Sequence, residues 1–193
     1  MSLKSHQSEV TIIPVIVSID KTLLTLFRNK TVYPIYLTIG NIPKHIRQKV
    51  SCQAHVLIGY IPMTKLTCIQ SKAARQHALG NLFHTCMYTA LGPISPYGET
   101  SIDIMSGNGV WQQCLPISTI FIDNYPEQAL VTCTYNGYCP KCIVASGQLG
   151  EYYSFSLCMQ SKILDTYLLS DEDSRLFHLA CCEGGMKPIY HLF

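Results

Sequence analysis

Thr11–Asp20 reads TIIPVIVSID, a run of mostly branched apolar side chains closed by an aspartate. A strand with one wet face would alternate apolar and polar residues, so this run predicts a strand buried on both faces. Such a strand needs neighbours, and three segments supply them. Val32–Ile39 (VYPIYLTI) is a strand in which Pro34 predicts an edge position or a bulge, and Cys52–Ile61 (CQAHVLIGYI) is a third. Trp111–Ile122 (WQQCLPISTIFI) is a fourth strand or a short helix, and it runs into a second aspartate, Asp123.

The segments between them are more polar or follow a helical period. Leu23–Phe27 reads as an apolar turn or helical piece, and Gly98–Gly109 as a loop or hairpin. Lys72–Leu91 is a helix, because Ala73, His77, Leu79, Phe83, Cys86, Met87 and Ala90 recur at three- and four-residue spacings. Ser71 is placed to cap it, and Gly92–Pro93 to stop it. After Asp123 the chain is expected to turn at Asn124 and Pro126. Helices are expected at Ser156–Leu169 and Asp171–Cys182, the second with Asp171–Asp173 as first-turn acids. Strands followed by helices and a further strand predict an α/β mixed sheet with flanking helices.

Composition narrows the class. The 193 residues are 48% apolar and 13% charged, with ten cysteines and twelve tyrosines; the charged share is about half that of an ordinary soluble domain. This predicts a core of one domain's size and a surface built to meet partner elements. No stretch approaches the roughly eighteen apolar residues of a membrane span, and Pro14 and Asp20 interrupt the first apolar run, so the expectation is an intracellular, non-secreted protein with no membrane partner. Net charge is +2. The cations Lys44, His45, Arg47 and Lys49 cluster, with Arg28 and Lys30 before them, while Asp171, Glu172, Asp173 and Glu183 lie late in the chain. The basic cluster gives weak support for a phosphate partner.

Two motifs carry chemistry. Asp20 and Asp123 each follow an apolar strand, where a sheet can hold carboxylates for two hard divalent ions about 4 Å apart, the arrangement used in phosphoryl transfer. An aspartate closing a strand is equally a turn former. Cys139 and Cys142, in CPKC, have the gap that lets two thiolates reach one zinc ion, with Cys133 near enough to be a third ligand. The same spacing suits thiol–disulfide exchange or two reduced cysteines in a turn.

Read along its length, the chain resembles the transposases of the Plavaka elements of mushroom-forming fungi, related to the CACTA transposases of plants. The matching stretches are PVIVSIDKTLLTLFRNKTVYPIYLTIGNIPKHIR at Pro14–Arg47, HVLIGYIP at His55–Pro62, the helix carrying RQHALGNLFHTCM, IFIDNYPEQALVTCTYNGYCPKC, and CCEGGMKPIYHLF. The resemblance implies a ribonuclease-H-like fold in which three acids hold two magnesium or manganese ions for DNA strand cleavage and transfer. It makes Asp20 (SIDKT) the first acid, Asp123 (IDNYPEQ) the second, and Cys139 and Cys142 the pair expected to bind zinc in an insertion. It also implies DNA partners (transposon ends and target), a nuclear location and a homo-oligomer. A third acidic segment is expected beyond the matched region; Glu183 precedes the point where the match stops and is not promoted. The expected layout is an N-terminal remnant at 1–10, the first part of the core at 11–130, and a cysteine-containing insertion with helices, cut short, at 131–193. On this view the chain is an incomplete transposase catalytic region, inactive alone. The alternatives are a non-catalytic zinc-containing interaction module and a CxxC thiol–disulfide protein.

Overall fold

The computed structural model describes residues 10–25, 30–144, 146–158 and 160–190. The predicted Arg28 and the segment before Val10 lie outside them. The chain divides into two compact units, one from Met1–Met63 with Thr89–Ile122, the other from Thr64–Tyr88 with Asp123–Phe193.

The first unit is built on a five-stranded sheet. Its strands are β1 (Thr11–Ile19), β4 (Pro34–Ile39), β5 (Val56–Tyr60), β6 (Ile102–Met105) and β7 (Trp111–Ile122), in the spatial order β5-β4-β1-β7-β6. A small separate ribbon pairs β2 (Thr22–Thr25) with β3 (Lys30–Val32). As its composition predicts, β1 lies in the middle of the sheet, with Val15, Ile16, Val17 and Ile19 buried. It runs antiparallel to β4 and parallel to β7, so the sheet is mixed. Helices flank these strands in chain order, giving a ribonuclease-H-like arrangement.

The strands beginning at Thr11 and Trp111 span the expected residues, while other segments differ for local physical reasons. Pro34 opens β4, an interior strand between β1 and β5; the first position of a strand tolerates a missing N–H, and the predicted irregularity is a register shift between Ile35 and Tyr36. Leu23 pairs with Thr31 as strand rather than turning or coiling. The third strand is shorter than expected, because Val50–Cys52 forms a 3-10 turn and Gln53 takes a left-handed conformation before β5. A short helix, α1 (Lys44–Arg47), precedes that turn. The 98–109 region contains the end of helix α3 (Tyr97–Thr100) and then β6, which forms a hairpin with β7.

The second unit is mainly helical. Helix α2 (Lys72–Leu91) has the predicted limits, and Ser71 Oγ accepts the Ala74 N–H at 3.4 Å; its last turn, from Thr89, belongs to the first unit. The expected turn after Asp123 is helix α4 (Tyr125–Val131), since a proline in the first helical turn loses no intrahelical bond. Helix α5 (Gln160–Glu172) starts and ends later than expected. Asp171 and Glu172 therefore close α5, and Asp173 caps helix α6 (Ser174–Glu183) by accepting from Arg175 N–H and Leu176 N–H. Phe177, Cys181 and Met186 are buried together, with Ile163, Tyr167 and Leu169 packed on them. Gly80 lies close against Ile189: a Cβ there would come 2.8 Å from Ile189 Cδ1, so the end of that side chain would have to shift. Among the described residues, no helix is long and apolar enough to cross a membrane.

Candidate functional site

Each of the two aspartates directly follows a strand of the sheet. Asp20 follows Ile19, the last residue of β1, and Asp123 follows Ile122, the last residue of β7. The strands are neighbours and parallel, and the register pairs Ser18 with Ile122, so both end at the same edge. A bulge sets this alignment. Val15 pairs with Ser118 and Ile16 with Ile120, leaving Thr119 as the extra residue, and its hydroxyl donates to the Val15 carbonyl at 3.1 Å. With Thr119 paired in step against Ile16, Ser18 would face Phe121 and the two aspartates would be level; the bulge carries Asp123 one position back, to the level of Ile19.

The surroundings of the two acids differ. Asp20 is exposed, and its carbonyl accepts from Thr22 Oγ1 at 3.3 Å. Asp123 is half-buried; its Oδ1 accepts the Asn124 N–H at 3.1 Å, and its carbonyl accepts from Gln128 Nε2 at 2.8 Å. The second bond ties the residue after β7 to helix α4, fixing where the backbone leaves the sheet. Carboxylate oxygens are the donor type that hard divalent ions prefer.

The cysteines fall into two groups. At the CPKC turn, Lys141 N–H donates to Cys139 Sγ at 3.4 Å, and Cys142 forms an isolated antiparallel bridge with Leu157. Burial pushes the Cys139 thiol up, but hydrogen bonds from Lys141 N–H and from the side chain and N–H of Cys142 outweigh it and hold its pKa below the usual thiol value. The same hydrogen bond, seen from the donor, raises Cys142. Cys158 N–H donates to the Lys141 carbonyl at 2.9 Å, so Cys158 stands beside this turn, a neighbour that sequence spacing alone did not select.

Cys133 has different company. It is buried, its backbone is left-handed, and its Sγ lies 3.2 Å from His84 Nε2. That nitrogen also donates to the Leu130 carbonyl at 3.0 Å. Burial pushes the Cys133 thiol up to about 11 and the His84 imidazole down. His84 is thus a core group that joins α2 to the end of α4. Among the described residues, no group of three or more His, Cys, Asp or Glu side chains stands where it could hold a metal ion.

The family model of the Plavaka transposases matches residues 1–193, the whole chain. The chain belongs to the Plavaka transposase family. A comparison with curated proteins finds no match. In this Plavaka transposase chain, aspartates follow the ends of two adjacent parallel strands. The second unit offers another concavity, a cavity of about 690 Å³ lined in part by His77, His178, Asn136 and Lys187. Its histidines are already engaged: His77 Nε2 donates to the Pro188 carbonyl, and His178 Nε2 lies 2.9 Å from the Tyr190 hydroxyl.

Proposed function

We propose that this chain supplies two carboxylates, Asp20 and Asp123, to the divalent-metal site of a DNA transposase that cleaves and transfers DNA strands. The observation that carries this reading is the parallel β1–β7 pairing, which ends two neighbouring strands at one edge with an aspartate after each. Magnesium or manganese, when bound, would supply Lewis-acid activation and charge neutralisation at a phosphodiester. The chain's own contribution is positional. The sheet fixes where each aspartate leaves its strand, the Asn124 N–H orients one oxygen of Asp123, and Gln128 holds the backbone behind it. The third carboxylate of the proposed mechanism is assigned to no residue here.

The test is manganese binding by the chain, followed by electron paramagnetic resonance. Asp20→Asn and Asp123→Asn should each weaken binding at least about tenfold, or about 1.4 kcal/mol, and the double variant little more than either. Binding unchanged in both single variants sinks the proposal.

For the CPKC turn we propose that Cys139 and Cys142 offer two thiolates to one zinc ion. The supporting observation is the Lys141 N–H bond to Cys139 Sγ, which stabilises a thiolate before any metal arrives. Cys133, the third ligand expected from spacing, would have to leave its His84 contact to join them. The residues therefore fit half of a zinc site, and no zinc-dependent step is derived. Metal analysis of protein purified without chelator should find zinc that is lost in Cys139→Ser; a zinc content unaffected by that change refutes the assignment.

A further inference from the structure

The other end of the same sheet carries a cluster of cations. Residues 21–98 hold nine of the fourteen Lys and Arg residues and no Asp or Glu, and three of the nine, Lys44, Arg47 and Lys49, lie at this end, with Asp103 on the far strand β6. The chain's net charge of +2 therefore hides a strongly basic stretch offset by acids elsewhere. Within that stretch Lys44, His45, Arg47 and Lys49 lie on and just after α1, and all but the half-buried Arg47 are exposed. None of the four pairs with a carboxylate among the described residues.

The topology says where this segment sits. Strand β4 runs antiparallel to β1, so it finishes at the end where β1 begins. The turn after it is pinned there, with Gly40 N–H donating to the Pro14 carbonyl at 2.7 Å and Asn41 Nδ2 to the Ile12 carbonyl at 3.0 Å. The basic segment follows directly, and β5 starts back from the same end with exposed His55 just before it. From the level of Ile12–Pro14 to Asp20 is six to eight strand residues, roughly 20–26 Å at about 3.3 Å each. That equals the rise of about six to eight base pairs at roughly 3.4 Å per step.

We propose that this basic end of the sheet is a docking surface for the phosphate backbone of double-helical DNA, separate from the carboxylate end and about six to eight base pairs from it. The choice of a DNA duplex over another polyanion rests on the reading of Asp20 and Asp123 given above, since one straight duplex lying along β1 would meet both ends. The surface positions DNA rather than reading its sequence: Lys44 and Lys49 are exposed point cations and the half-buried Arg47 is a forked one, all suited to phosphate oxygens.

The test is fluorescence anisotropy of a labelled DNA duplex titrated with the full chain in EDTA over a range of salt concentrations. Removing three phosphate contacts in Lys44→Gln/Arg47→Gln/Lys49→Gln should weaken binding on the order of 100-fold at about 0.1 M salt. It should also lower the slope of log affinity against log salt by roughly 2.7, about 0.9 per contact. Lys141→Gln/Lys162→Gln/Arg175→Gln, with the same loss of charge in the second unit, should bind as the parent does. Circular dichroism should show both variants folded, since these side chains lie at the surface. Duplex affinity and salt slope equal to the parent's in the first variant overturn the proposal. So does an equal loss in the second, or a loss confined to vesicles of phosphatidylserine or to duplex RNA. Asp20→Asn should bind the duplex in EDTA at least as tightly as the parent, because it removes a negative charge and no basic contact, so a failed metal site and a failed docking surface give different results.

Discussion

The two units place their chemistry in different ways. In the first unit the notable groups stand at strand ends and turns: Asp20 after β1, and Lys44–Lys49 after β4. The middle of its central strand is buried, but the edge strands β5 and β6 and the interior strand β7 leave large apolar side chains in the open, including Tyr60, Met105, Trp111 and Ile120. In the second unit the polar groups are drawn into the core. His84 is buried against Cys133, and Tyr167 donates from its hydroxyl to the Lys187 carbonyl at 3.3 Å. A sheet exposes its backbone turns at two edges, where polar side chains can act without being desolvated. A small helical unit rich in cysteine, histidine and tyrosine must bury some of them, and each then needs a partner.

That contrast can be broken by mutation. The largest effect is expected at Phe177→Ala, which empties a fully buried ring site in the second unit and should cost about 3–5 kcal/mol in denaturant unfolding. Ile120→Ala, on β7, removes a side chain that is 50% exposed and should cost no more than about 0.5 kcal/mol. A large loss at Ile120 would mean that the open face of the sheet is covered in solution. The smallest effect expected concerns pH. Burial lowers the His84 pKa in the folded state below its ordinary value of 6.5, so the unfolded chain takes up the proton first. The stability contributed by neutral His84 is therefore complete above about pH 6.5 and lost as pH falls from there toward the folded pKa. The melting temperature should drop over that range in the parent and drop less in His84→Asn; equal drops would show that His84 is not the titrating group.

Much of the first unit was legible because its signals are local. The branched run at Thr11–Ile19 and the twelve-residue run at Trp111–Ile122 have the observed limits. Composition identifies a buried strand whatever it pairs with. The boundary errors share a cause. Pro126 and the acids at 171–173 were read as turn or first-turn signals, yet proline suits a first helical turn, and among the acids Asp173 alone has the extended backbone that lets its carboxylate cap α6. In the second unit, spacing along the chain was a poor guide to proximity. It proposed Cys133 beside Cys139 and Cys142, whereas folding sets Cys133 against His84 on α2 and brings Cys158 beside the CPKC turn.

The sequence by itself determined that Thr11–Ile19 is a buried strand, that two apolar runs end in aspartates, that a cysteine pair has metal-ligand spacing, and that the chain resembles the Plavaka transposases. These are properties of short windows and ordered motifs. Only the tertiary structure decided that β1 and β7 are parallel neighbours, so that both aspartates follow at one edge, that the Thr119 bulge offsets them by one position, and that the basic turn after β4 lies at the other. Strand composition is indifferent to partner and register. Those are settled by hydrogen bonds and side-chain contacts between residues far apart in the chain, which no local pattern encodes.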